Sequence, residues 1–264
     1  MCNVDYFREA FIKYAEERLF YAENTADYEF IKENILLKIH HSMRVCGIAK
    51  RIADQEEFSK DEKNTAYLCA MFHDLGRFDQ FLKYKTFLDA KSINHAELGA
   101  DLIEKYDLVG RLDPGTRNII INSTRLHNRQ NVPEEIDSDL HKFVSITRDA
   151  DKIDILELFC KYHSSRTENK NSALELDLPD TTDFNPEIAE LIYEKKTVSN
   201  HLRKNYNDMK LIHLAWVLDL NYKESFRTVI RRRTIERLSG FLPRNEGVVQ
   251  LVSFVRDYAE SMAQ

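Results

Sequence analysis

Six side chains with metal-binding chemistry are spread along the chain: His41, the adjacent His73 and Asp74, His95, His127 and Asp151. Each lies in a stretch whose apolar residues recur at spacings of three and four, so each sits on or beside the apolar face of an expected helix. A single polar group is costly there unless something pairs with it. Imidazole nitrogens and carboxylate oxygens together suit a borderline or hard divalent ion, Mn, Fe, Zn, Mg or Co, and need no thiolate.

The adjacent His73 and Asp74 are the most specific feature. They close the apolar run Ala66-Tyr67-Leu68-Cys69-Ala70-Met71-Phe72, and counting back by three, four and seven from His73 gives Ala70, Cys69 and Ala66. The His73 ring therefore belongs to the small-residue face of that helix, and Gly76 is the expected stop. Successive helical residues point about 100° apart, so both side chains reach one ion only near a helix end.

His41 in His41-Ser42-Met43-Arg44-Val45, then His73-Asp74-Leu75-Gly76-Arg77, then Asp151 in Ala150-Asp151-Lys152-Ile153-Asp154, occur in an order and at separations that resemble the HD superfamily of metal-dependent phosphohydrolases. The resemblance spans roughly Ile35 to Phe159. It implies an all-α helical bundle and a metal shell of His41, His73, Asp74 and Asp151. It also implies that His95 and His127 supply ligands for a second ion, as in binuclear members. Arg77 stands where the family usually carries Lys, which keeps the charge but changes its geometry.

His95 falls in Ser92-Ile93-Asn94-His95-Ala96-Glu97-Leu98-Gly99-Ala100, where Ser92 is the expected cap and His95, Leu98, Gly99, Leu102 and Tyr106 form the expected inner face. His127 shares a stripe with Ile120, Ser123 and Thr124. Asp149 competes with Asp151, but two residues along a helix face different sides. Asp151 aligns with the family's alanine-aspartate pair and with Val144, Thr147, Ile155 and Leu158. Asp149 and Asp154 are then expected to support the site or to pair with Arg148 and Lys152.

The resemblance implies a phosphate ester or nucleotide hydrolysed by a metal-activated hydroxide, with two divalent ions bridged by Asp74. Asp74, Lys152 and Arg77 are the expected catalytic residues, and Lys152, Arg77 and Arg125 the expected cationic contacts to substrate phosphate. Two other readings share the ligand pattern: a diiron oxygenase of the HD type, and a regulatory module that binds a nucleotide without turnover. The expected partner is a small phosphorylated molecule, a nucleotide among the candidates.

The 264 residues, 43% of them hydrophobic, suffice for one substantial core. Net charge of -6 and a pI near 5.9 argue against nucleic acid as a partner, since phosphate neutralisation needs a concentrated basic surface. Cys2, Cys46, Cys69 and Cys160 form no Cys-x-x-Cys pair, so neither a disulfide framework nor a thiolate zinc site is indicated, in keeping with a reducing cytoplasm. Neither a signal peptide nor a membrane span is expected.

Helical spacing recurs over 6–21, 35–53, 61–72, 93–106, 117–127, 140–159, 186–193, 209–218, 223–238 and 247–262, and no alternating strand pattern is found. The expected organisation is one domain: a metal-site core over 35–160, a polar insertion or lid over 164–185, and C-terminal helices over 186–264 that pack as core through Trp216, Leu218, Leu220, Phe226, Val229 and Ile230. Arg231-Arg232-Arg233 is expected on a solvated face beside Glu224 and Glu236.

Overall fold

The computed structural model describes residues 3–165 and 178–264. Among these residues the fold is all-α, as expected, with no strand. No helix among them is long and apolar enough to cross a membrane. The greater part of the polar insertion, 166–177, lies outside the described residues, as does Cys2. The chain divides into two compact units, Met1–Asp151 and Lys152–Gln264.

The first unit holds α1 (Val4–Ala22), α2 (Tyr28–Gln55), α3 (Lys60–Phe72), α4 (Gly76–Tyr84), α5 (His95–Lys105), α6 (Pro114–Leu126) and the first half of α7 (Ser138–Ser164). Local chemistry sets most of their starts. Ser59 and Glu62 form a reciprocal capping box on α3, Asn94 accepts from the amides of Ala96 and Glu97 on α5, and Asp113 caps α6 ahead of Pro114. α2 begins two turns earlier than the expected 35, because Tyr28 to Asn34 are largely polar and hide the periodicity. Its inner face, Ile31, Ile35, Val45, Ala49 and Ile52, is fully or almost fully buried.

Three local expectations are corrected. Gly76 does not end a helix; it opens α4, and its missing Cβ permits contact with α5, where an added Cβ would lie 2.2 Å from the His95 carbonyl oxygen and 2.7 Å from the Gly99 amide nitrogen. Asn94, not Ser92, caps α5. The Ser92 hydroxyl instead donates to the Leu88 carbonyl and accepts from the Gln80 amide. Finally, the buried face of α5 is His95, Ala96, Gly99, Ala100, Leu102 and Ile103, while Tyr106 ends the helix exposed.

The second unit holds the rest of α7, then α8 (Pro186–Tyr193), α9 (Tyr206–Ala215), α10 (Lys223–Arg231), α11 (Thr234–Ser239) and α12 (Glu246–Met262). Its core includes Tyr206, Leu211, Leu214, Val217, Phe226 and Val255, all fully buried. Of the residues expected there, Leu220, Phe226 and Val229 are buried and Trp216, Leu218 and Ile230 are partly so. The expected helix over 223–238 is two helices, broken where Arg233 adopts φ 52°. Arg231 pairs with Glu224 at 2.6 Å.

Candidate metal centre

Two of the histidines owe their orientation to helix ends. His73 is the C-cap of α3 and His127 the C-cap of α6. The last carbonyls of a helix lack intrahelical partners. The His73 Nδ1 lies 2.7 Å from the Ala70 carbonyl oxygen, and the His127 Nδ1 lies 2.7 Å from that of Thr124. A carbonyl only accepts, so each Nδ1 carries the proton and each Nε2 keeps its lone pair for a ligand role.

His95 is oriented by a carboxylate. Its Nδ1 lies 2.7 Å from Asp89 Oδ2, on the segment between α4 and α5. Burial alone would raise the Asp89 pKa, but its bond to His95 and the charges of His95 and Arg77 win, leaving it at about 2. An ionised Asp89 accepts from Nδ1–H, again turning Nε2 inward. The Nε2 atoms of His95 and His127 are 3.1 Å apart.

Asp74 joins two halves of the cluster. Its Oδ2 lies 3.5 Å from His41 Nε2 and 3.6 Å from His73 Nε2, and Asp151 Oδ1 is 3.1 Å from His41 Nε2. Its Oδ1 lies 3.3 Å from His95 Nε2 and 3.8 Å from His127 Nε2. Three triads have converging ligand atoms: His41, His73 and Asp74; His73, His127 and Asp151; Asp74, His95 and His127. Asp149 is fully buried and belongs to none of them.

These residues fit a divalent ion. The His73 Nε2 is buried without a hydrogen-bond partner, an arrangement that costs about 1–3 kcal/mol unless a ligand takes the lone pair. Burial would raise the pKa of Asp74, yet the neighbouring Lys38, His73, Arg77 and His95 hold it well below the usual carboxylate range. Asp151 is likewise held low against burial by His41 and His73. Burial, reinforced by His95 and His73, pushes His127 down to about 3, so near neutrality it is the uncharged ligand form.

The expected substrate cations are differently placed. Arg77 donates through Nε to Asp74 Oδ1 and through Nη1 to Gln80, the Phe87 carbonyl and Asp89. Arg125 bonds Glu97, Asp101, Glu104 and Asn122. Within the second unit, Lys152 donates to the side chain and the carbonyl of Asp219.

Sequence reasoning missed Asp89 and Lys38. Asp89 sits in a segment without helical periodicity, and nothing in its spacing marks it. Lys38 carried a signal: it precedes His41 by three residues on α2, hence shares its face.

A family model described as HD domain matches residues 39–156, a segment that contains all six converging candidate ligands. Over that segment the chain is similar to HD domains, a superfamily of metal-dependent hydrolases whose domains bind divalent metals. Searches among curated proteins and among solved structures return no match.

Proposed function

We propose that this protein is a phosphohydrolase with a two-ion centre, acting on a small phosphate ester. The observation that carries the reading is the Asp74 carboxylate, one oxygen beside His41 and His73 and the other beside His95 and His127, with Lys38 and Arg77 against the same group. His41, His73, Asp74 and Asp151 would hold one ion, and Asp74, His95 and His127 the second. Bound divalent ions supply Lewis acidity and lower the pKa of a coordinated water towards about 7.

The chain's own residues then have distinct tasks. The helix-end carbonyls and Asp89 fix three imidazoles in one tautomer, so they need not reorganise when the site loads. Arg77 ties Asp74 to Gln80 and Asp89, aligning the shared carboxylate with the second half of the site. Cationic side chains beside the ligands favour an anionic substrate, as phosphoryl transfer requires.

The test is phosphate release from a panel of phosphorylated substrates under anaerobic conditions, with apo protein reloaded with Mn, Co, Mg, Zn or Fe. Turnover with a redox-inactive ion is expected. Failure with every ion, together with iron-dependent oxygen uptake, would instead support the oxygenase reading. Binding of a nucleotide without turnover would support the regulatory one.

A further inference from the structure

Lys38 lies on α2 one residue before the segment matched by the family model. Its Nζ donates to Asp74 Oδ2 at 2.7 Å, and its side chain is 15% exposed against 5% for Asp74. The ammonium also stands 5.1 Å from the centroid of Phe87, whose carbonyl Arg77 holds. Lys38 is therefore placed between a ligand of the centre and the solvent side, with a fixed aromatic neighbour.

An ammonium has three donors, and Asp74 takes one. Arg77, by contrast, has its Nε and Nη1 engaged with Asp74, Gln80, Phe87 and Asp89. In the metal-free cluster, Lys38 offsets the buried Asp74 charge. Divalent ions would take over that role, because their charge exceeds that of Asp74, Asp89 and Asp151, and Lys38 would then add to a net positive centre. Its remaining donors match the non-bridging oxygens of a phosphate.

Resting on the phosphohydrolase reading, we infer that Lys38 is a substrate-binding residue, donating directly to a phosphoryl oxygen beside the metal centre. The rival role is structural: Lys38 would hold Asp74 in place for the metal. The two separate in what they do to metal affinity, since removing a nearby cation does not weaken a divalent ion whereas misplacing a ligand does.

The test measures inorganic phosphate binding by calorimetry to Mn-loaded protein, with Mn content and affinity determined on the same samples. Lys38→Met should keep its manganese and bind phosphate roughly tenfold or more weakly, the effect of losing one charged hydrogen bond. Lys38→Arg should restore part of the loss, and Lys32→Met, a change at a half-buried position on the same helix that pairs with Glu29, should match wild type. Wild-type phosphate affinity in a manganese-loaded Lys38→Met protein overturns the Lys38 assignment and leaves the phosphohydrolase reading intact. Loss of manganese from Lys38→Met, with Lys38→Arg retaining it, makes Lys38 a structural partner of Asp74 and also overturns the assignment. Absence of phosphate binding to Mn-loaded wild type overturns both.

Discussion

At the scale of single residues, the centre depends on one carboxylate shared between two groups of imidazoles. Asp74→Ala should abolish bound metal and turnover while the far-ultraviolet circular dichroism stays helical, because the helices are held by apolar faces and caps rather than by this side chain. Equal metal content in Asp74→Ala and wild type would falsify the ligand assignment. His95→Ala or His127→Ala should reduce occupancy from two ions towards one, because the four-ligand group around His41 and Asp151 is left in place. A metal-loaded crystal structure checks this directly, since genuine histidine ligands lie about 2.0–2.1 Å from the ion. Asp149→Ala should retain its metal; loss there with retention in Asp151→Ala would reverse the choice of aspartate.

At the scale of elements, His95 is delivered to the site by the approach of α4 and α5. Gly76 and Gly99 face each other, and a Cβ on Gly99 would lie 3.1 Å from the Gly76 nitrogen and 3.2 Å from Thr124 Cγ2. The Gly76→Ala methyl group, by contrast, meets backbone at 2.2 Å, so α4 and α5 must separate. We expect a loss of about 1–3 kcal/mol, typical of overpacking. The second ion should weaken more than the first, since His95 moves and His41 does not. Thermal unfolding and metal titration of Gly76→Ala check this; an unchanged stability would mean that α5 can give way without cost. The cap residue is a milder probe: Asn94→Ala removes the acceptor for two α5 amides and should cost about 0.5–2 kcal/mol.

At the scale of the whole molecule, the six candidate ligands all belong to the first unit. A metal held by these residues would bind that unit only when folded, so excess Mn should raise its melting temperature and chelator should reverse the effect. A free concentration of 100 times the dissociation constant corresponds to about 2.7 kcal/mol. The second unit carries its own titration. His213 lies against Phe159 and Trp216 with its Nδ1 buried and unbonded, and burial, reinforced by Arg203 and His163, pushes its pKa from 6.5 down to about 3. It is neutral when folded and gains its proton on unfolding, so its contribution is complete above about pH 6.5 and is lost as pH falls towards about 3. His213→Phe removes that proton uptake, so its gain in melting temperature should be larger near pH 5 than near pH 7.5. Equal gains at both pH values would exclude His213 as the titrating group.

The sequence by itself determined the helical class and the identity of the converging side chains, because both depend on local information: spacing along a helix, residue chemistry, and the order of His41, His73-Asp74 and Asp151. The apolar runs that stop at His73 and His127 were legible for the same reason, although the bonds from the two rings to the carbonyls three residues back were not anticipated. What the tertiary structure alone decided is which distant groups meet. Asp89 reaches His95 from a segment with no periodicity, Gly76 serves close packing rather than a helix stop, and Arg125 is drawn to Glu97, Asp101 and Glu104 across two helices. Lys38 stands between the two cases: its shared face with His41 follows from helical spacing, but its bond to Asp74, 36 residues away, exists only because α2 and the end of α3 pack together. Pairings of this kind follow from the packing of side chains between helices, to which periodicity within one helix is blind.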